Sequence, residues 1–405
     1  MDFKEAKTNL LYANYNEEQD CVIFGTKTGF YVYTLYPQKK IISQKINGGV
    51  SKVSMLHRSN IIFFVGTLDT GDYCKQNLNI WDDNRKKIVG QINFKEDIQH
   101  IETFTKYIFI STKKTIYIYN FNTLQLLKSI PIKNNIKGLF KVILDTTQLI
   151  YPNNNTIELY NWITEKTNII NCHINTVEHF SLSNDNTLLA SCSQKGSIIR
   201  LFDINTLQLL KELRRGTEYV KIINLVFNND NTMLLCSSNK GTIHIFSIRN
   251  LDDSLNDLQG EVTKNIKQTD EQELIHNQIE TLQTVSTIDN QDNQDNQDVI
   301  TEKKEDKQII ENKKIFGMYY LQSFLPKYFN SEWSFIQIYI NNSFTYNVFS
   351  KNKNNLISIS SNGCFYTIEY SHDYKTNKSS YKIISTLKFL SDTNDPFDNR
   401  NSTIL

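Results

Sequence analysis

What the chain lacks already narrows what it does. Its 44 Lys and Arg nearly balance 43 Asp and Glu, leaving a net charge of +1 and no basic field for nucleic acid. No stretch approaches the ~18 consecutive apolar residues of a membrane-spanning helix. The opening MDFKEAKTNL lacks the basic and apolar regions of a secretory leader. A cytoplasmic protein is therefore expected, with any membrane contact peripheral. The six cysteines (Cys21, Cys74, Cys172, Cys192, Cys236 and Cys364) show neither CxxC nor metal-ligand spacing, so reduced, buried thiols are expected. P-loop, GxGxxG after a strand, GxSxG and HExxH are all missing, so no enzyme, catalytic residue, cofactor or metal is expected. His173 and His179 have no companion ligands.

What is present is aromatic and periodic. Hydrophobic residues make up 39 %, with 23 Phe and 21 Tyr, enough for a sizeable core. Short apolar strands ending in an aromatic recur: YVYT (31–34), NIWD (79–82), YIYN (117–120), ELYN (158–161), RLFD (200–203) and HIFS (244–247). Their aromatics, Tyr33, Trp81, Tyr119, Tyr160, Phe202 and Phe246, are spaced by 48, 38, 41, 42 and 44 residues. That period, with several short strands per unit, is the mark of a β-propeller blade. A seventh unit falls near NGCFYTIEY (362–370). The chain thus reads as an all-β, seven-bladed propeller over 1–405.

One gap in the period is too long. From 250 to 314 the apolar pattern vanishes, and DNQDNQDNQD (289–298) is low-complexity polar sequence. It offers too little apolar burial to offset its ordering entropy, so a disordered insertion from blade six is expected. KKIFGMYYLQSFLPKYF (313–329) follows, with paired lysines before a dense aromatic run. Phe316, Tyr319, Tyr320 and Phe324 fall on one helical face, which makes 315–325 a candidate membrane-inserting segment. The alternative is that this run simply begins the next blade.

Two units are near-copies: NDNTLLASCSQKGSIIRLFD (184–203) and NDNTMLLCSSNKGTIHIFS (229–247). Each has an Asn-Asp-Asn turn, a strand, a Lys-Gly tight turn and a second strand. Ser191, Ser193, Lys195, Ser197 and then Arg200 surround the first turn. Ser237, Ser238, Lys240, Thr242 and then His244 surround the second. Hydroxyls, an ammonium and a fork or ring donor are the groups a cluster of anionic oxygens needs. Arg214 and Arg215 lie on the chain joining the units. Consecutive residues of a strand face opposite ways, so one arginine can complete each pocket. The competing structural role is pairing with Glu212 and Glu218 on a solvated face.

These residues carry a family resemblance. LRRGTE (213–218), followed by SSNKGTIHIFSI (237–248), resembles the PROPPIN family, seven-bladed propellers that bind polyphosphoinositides. LLYANYNEEQDCVIFGTKTGFYVYTLYP (10–37) is similar to the family's first blade, and FLPKYFNSEWSFIQ (324–337) to the stretch after its long loop. The resemblance implies two headgroup sites on neighbouring blades. Site one would comprise Ser193, Lys195, Ser197, Arg200 and Arg214, and site two Arg215, Ser238, Lys240, Thr242 and His244. It also implies phosphatidylinositol 3-phosphate or 3,5-bisphosphate as ligand, and a blade-six loop that enters the bilayer. The implied setting is the autophagosomal, endosomal or vacuolar membrane. There a monomeric scaffold recruits autophagy proteins, including a lipid-transfer partner for which Asn16 and Glu18 are candidate contacts. The rival reading keeps the fold and has the arginines grip an acidic protein segment without lipid.

Overall fold

The computed structural model describes residues 9–248 and 331–389, apart from 134, 136, 341–344, 352, 353, 362, 374, 375 and 377. The expected insertion at 250–314 and the aromatic segment at 315–325, with Phe316, Tyr319, Tyr320 and Phe324, lie outside the described residues. Among the described residues there is no helix, and none could therefore cross a membrane as one.

The strands form seven sheets arranged as propeller blades, antiparallel except for a two-residue strand, Glu332–Trp333, added in parallel to the edge of blade five. Blades one to five span 10–45, 50–93, 100–131, 141–171 and 177–214, each with its strands paired in sequence order. Blade six takes three strands from 222–247 and its fourth, Ile336–Tyr339, from beyond the insertion. Blade seven spans 345–388. The first strand of each blade is innermost, and together these strands line a central cavity of about 390 Å3. The periodic aromatics occupy the third strands of blades one to six, and the seventh unit is the third strand of blade seven, Cys364–Asp373. The long first spacing comes from the loop between Gly66 and Asn77 of blade two. The Asn-Asp-Asn turns form as their chemistry dictates. Asn186 and Asn231 take left-handed φ of 57° and 56°, which Asn tolerates, and Asp185 and Asp230 accept hydrogen bonds from Thr187 and Thr232.

Apolar side chains fill the seams between adjacent blades. Blades one and seven each use their own four strands, so among the described residues no shared strand closes the ring. An aromatic cluster closes it instead. Phe24 of blade one stacks on Phe389 at 4.4 Å and meets Phe365 edge-on at 5.6 Å, while Tyr15 stacks on Tyr346 at 5.0 Å. None of the six cysteines is joined in a disulfide, five of them are buried, and burial pushes the Cys21, Cys172 and Cys236 thiols up to about 12.

Candidate anion site on the rim of blades five and six

The outer strand of blade five, Leu209–Arg214, pairs with its third strand in a register that sets Arg200 opposite Glu212 and Ile198 opposite Arg214. Leu213 is buried in the seam with blade six. Alternation therefore places Glu212 and Arg214 on the blade-four side and turns Arg215 toward blade six. Both arginines are largely buried, at 9 % and 7 % exposure.

On the blade-four side, Arg200 donates from Nε to Glu212 Oε1 at 2.8 Å and from Nη1 to the Cys172 carbonyl at 2.7 Å. Its charge is thus already balanced within the fold. His173 arrives from the loop after blade four, with Nε2 3.0 Å from Ser191 Oγ. Burial, with Arg200 nearby, holds the His173 imidazole down at about 4. On the blade-six side, Arg215 donates from Nε to the Gly196 carbonyl at 3.1 Å and from Nη2 to the Glu218 carbonyl at 2.6 Å. His244 is buried with Nδ1 3.0 Å from Ser334 Oγ, and burial together with Arg215 holds it at about 4. Burial also lowers the pKa of Arg215.

The two Lys-Gly turns share one design. Gly196 and Gly241 take φ of +65° and +77°, and their N–H groups donate to the Ser193 and Ser238 carbonyls at 2.9 and 3.1 Å. A Cβ on Gly196 would sit 2.0 Å from the Val220 carbonyl oxygen, so only glycine lets the loop between blades five and six cross there. Lys195 and Lys240 are exposed at the tips. Lys240 pairs with Glu218. Ser193, Ser197 and Ser238 are buried, and Ser238 Oγ lies 3.1 Å from Thr242 Oγ1.

Arg215, Ser238, Lys240, Thr242 and His244 thus gather along the seam of blades five and six. Arg214 lies on the opposite face with Arg200, beside the turn that carries Ser193, Lys195 and Ser197. Sequence reasoning set His173 aside and passed over Ser334. A usable signal existed for His173: it stands 45 residues before Glu218, the offset relating Asn184 to Asn229 in the duplicated units. Ser334 left no such signal, because it reaches His244 only through the return of the chain after the insertion. That return runs parallel to the outer strand of blade five, with Trp333 beside Arg214, before joining blade six. Elsewhere, Asn16 is buried and commits its amide to Glu18, Asp20 and the backbone of Cys21, so it braces a turn. Glu18 is exposed and lies 2.8 Å from His57 Nδ1.

The histidines make a pH prediction. His173 and His244 sit at about 4 and His179 at about 3, all below the ordinary 6.5. Below pH ~6.5 the unfolded chain takes up protons that the native state refuses. Native stability is expected to fall as pH drops from about 6.5 to about 4, and not to change through these groups above pH 7. Urea midpoints measured between pH 4 and pH 8 check this, and a midpoint flat across that acid range contradicts it.

A sequence profile for the PROPPIN family matches residues 10–263. Autophagy-related protein 18e of Arabidopsis thaliana is 31% identical over 254 residues, covering 60% of this chain and 68% of its own length. SVP1-like protein 2 of Schizosaccharomyces pombe is 28% identical over 254 residues, covering 61% and 70%. The Kluyveromyces lactis Hsv2 structure superposes with a TM-score of 0.65 at 20% identity, covering 93% of this chain and 98% of that one. A complex of KlAtg21 with the coiled-coil of AgAtg16 gives a TM-score of 0.61 at 19% identity, covering 89% and 94%. With seven blades, the duplicated Lys-Gly units and the Arg-Arg pair between them, this chain belongs to the PROPPIN family.

Proposed function

We propose that this protein is a non-catalytic phosphoinositide effector of autophagy, with one headgroup bound on each face of the Arg214-Arg215 pair. The observation that carries this reading is the division of two adjacent, buried guanidiniums between two blade seams, each beside a turn bearing an exposed lysine and buried hydroxyls. Site two has Arg215, Lys240, Ser238, Thr242 and the neutral ring of His244. Site one has Arg214, Lys195, Ser193 and Ser197, with Arg200 oriented by Glu212. Phosphatidylinositol 3-phosphate and phosphatidylinositol 3,5-bisphosphate both present the anionic oxygens such donors take.

The physics favours reversible recruitment. A basic side chain near an anionic leaflet contributes about 1 kcal/mol. Two pockets on one membrane make the second engagement intramolecular, raising avidity by about 10² to 10⁴. Contact with the autophagosomal, endosomal or vacuolar membrane would be peripheral. Protein partners would then dock on the remaining faces. A coiled-coil segment is one candidate class, given the KlAtg21 complex, and a lipid-transfer protein is another.

Calorimetric titration with soluble inositol 1,3-bisphosphate tests the reading. Two headgroups per chain are expected. Absence of binding, with capture of an acidic peptide by the same arginines, would replace the lipid reading by a protein interface.

A further inference from the structure

Among the described residues, the two most exposed large apolar side chains are Ile174, at 93 %, and Tyr219, at 69 %. They are 45 residues apart, so they stand at the same offset before the two duplicated units. Each stands three residues before the innermost strand of its blade, Val177–Leu182 or Ile222–Phe227, in the loop that crosses from the preceding blade. The same position is Asn47 before blade two, Asp97 before blade three and Gly138 before blade four. Among the described residues at this position, an exposed apolar side chain therefore stands on the two loops that flank the arginine pair.

Both loops are tied to the lysine-bearing turns. Gln194 N–H donates to the Thr176 carbonyl at 3.0 Å, and Val220 N–H donates to the Lys195 carbonyl at 3.3 Å. Asn239 N–H donates to the Lys221 carbonyl at 3.0 Å. The apolar tips and the exposed ammoniums of Lys195, Lys221 and Lys240 thus share one edge of the propeller. Trp333, 48 % exposed beside Arg214, lies on the return of the chain to blade six rather than on a loop that crosses between blades. The leucine pairs Leu126-Leu127 and Leu209-Leu210 occur in identical TLQLLK segments of blades three and five, equally exposed, and belong to the general rim.

Glu218 beside Tyr219 pairs with Lys240, but lysines still outnumber carboxylates around the apolar tips, and that combination suits an anionic bilayer, whose headgroups meet the lysines while its acyl boundary takes the apolar groups. Resting on the phosphoinositide reading above, we infer that Ile174 and Tyr219 form a paired apolar wedge that enters the bilayer interface when the headgroups are engaged. The wedge is separate from the aromatic segment of the insertion and belongs to the folded blades. It anchors each pocket individually: Ile174 beside site one, Tyr219 beside site two.

The test uses the full chain with phosphatidylcholine vesicles carrying phosphatidylinositol 3-phosphate, and in parallel soluble inositol 1,3-bisphosphate. The double variant Ile174→Ser, Tyr219→Ser is expected to lose vesicle affinity on the order of tenfold, with affinity for the soluble headgroup unchanged. Both sites are exposed, so folding is preserved. An Ile174→Trp variant should shift its emission to the blue on vesicle addition and be quenched by brominated acyl chains. Unchanged vesicle affinity in the double serine variant, with the wild type binding both probes, overturns the wedge alone. A wild type that binds neither probe overturns the phosphoinositide reading and the wedge with it.

Discussion

Replacing Arg214 and Arg215 together by alanine is expected to abolish flotation with vesicles carrying phosphatidylinositol 3-phosphate. Each pocket loses the guanidinium that faces it. The loss removes both the individual contacts and the avidity of about 10² to 10⁴ that two sites confer. Each single variant should keep one headgroup site in solution while losing roughly a hundredfold on vesicles, because only the intramolecular second engagement disappears. Arg215 needs a control of its own, since it also holds the carbonyls of Gly196 and Glu218. Removing those charge-assisted bonds costs about 1.5–3 kcal/mol of stability each at most, against a typical total of about 5–15 kcal/mol. Circular dichroism and urea unfolding show whether the variant is folded. Arg215→Lys keeps the charge but loses the planar fork, and should bind more weakly than wild type. If the folded double variant floats like wild type, the arginines are not the lipid donors.

Phe24→Ala is expected to be among the most damaging single changes, lowering unfolding stability by about 3–5 kcal/mol. The reason lies in the ring closure. Where blades one and seven meet, no shared strand among the described residues carries a backbone ladder across the seam. The contact consists of buried apolar groups, including Phe24, Tyr33, Phe365 and Phe389, with Gln38 Nε2 donating to Thr367 Oγ1 at 3.2 Å. Phe24 is fully buried and touches three of those rings: Tyr33, Phe365 and Phe389. Truncating it opens a cavity in the one seam that joins the ends of the ring. Urea unfolding of Phe24→Ala measures the effect, with exposed Tyr219→Ser as a reference expected to stay within about 0.5 kcal/mol. A loss below about 1 kcal/mol would mean that closure does not depend on this cluster.

Much of the architecture was legible in the sequence because a propeller repeats one local solution. The third strands of blades one to six carry an apolar-aromatic pattern near their ends, so Tyr33, Trp81, Tyr119, Tyr160, Phe202 and Phe246 mark those blades without any knowledge of their packing. The opposite facing of Arg214 and Arg215 was equally local, since the side-chain period of an extended strand is two. The duplicated Lys-Gly turns needed only glycine's access to positive φ at Gly196 and Gly241.

Contacts across seams were not legible, because they depend on how neighbouring blades pack. Pattern alone did not show that the third and outer strands of blade five set Arg200 against Glu212, or that the Cys172 carbonyl reaches it from the loop leaving blade four. Nor did it show that the first hairpin draws Asn16 inside, where its amide closes a turn. His173 and Ser334 reach the arginine region from the preceding blade and from beyond the insertion, 90 residues from His244 in the second case. By itself the sequence determined the repeat, the strand faces and the turn chemistry, because each is set by residues within a few positions of one another. Only the tertiary structure decided which cations are already balanced and which loops stand exposed beside them. Those outcomes follow from burial and charge between segments that meet only when the ring is closed.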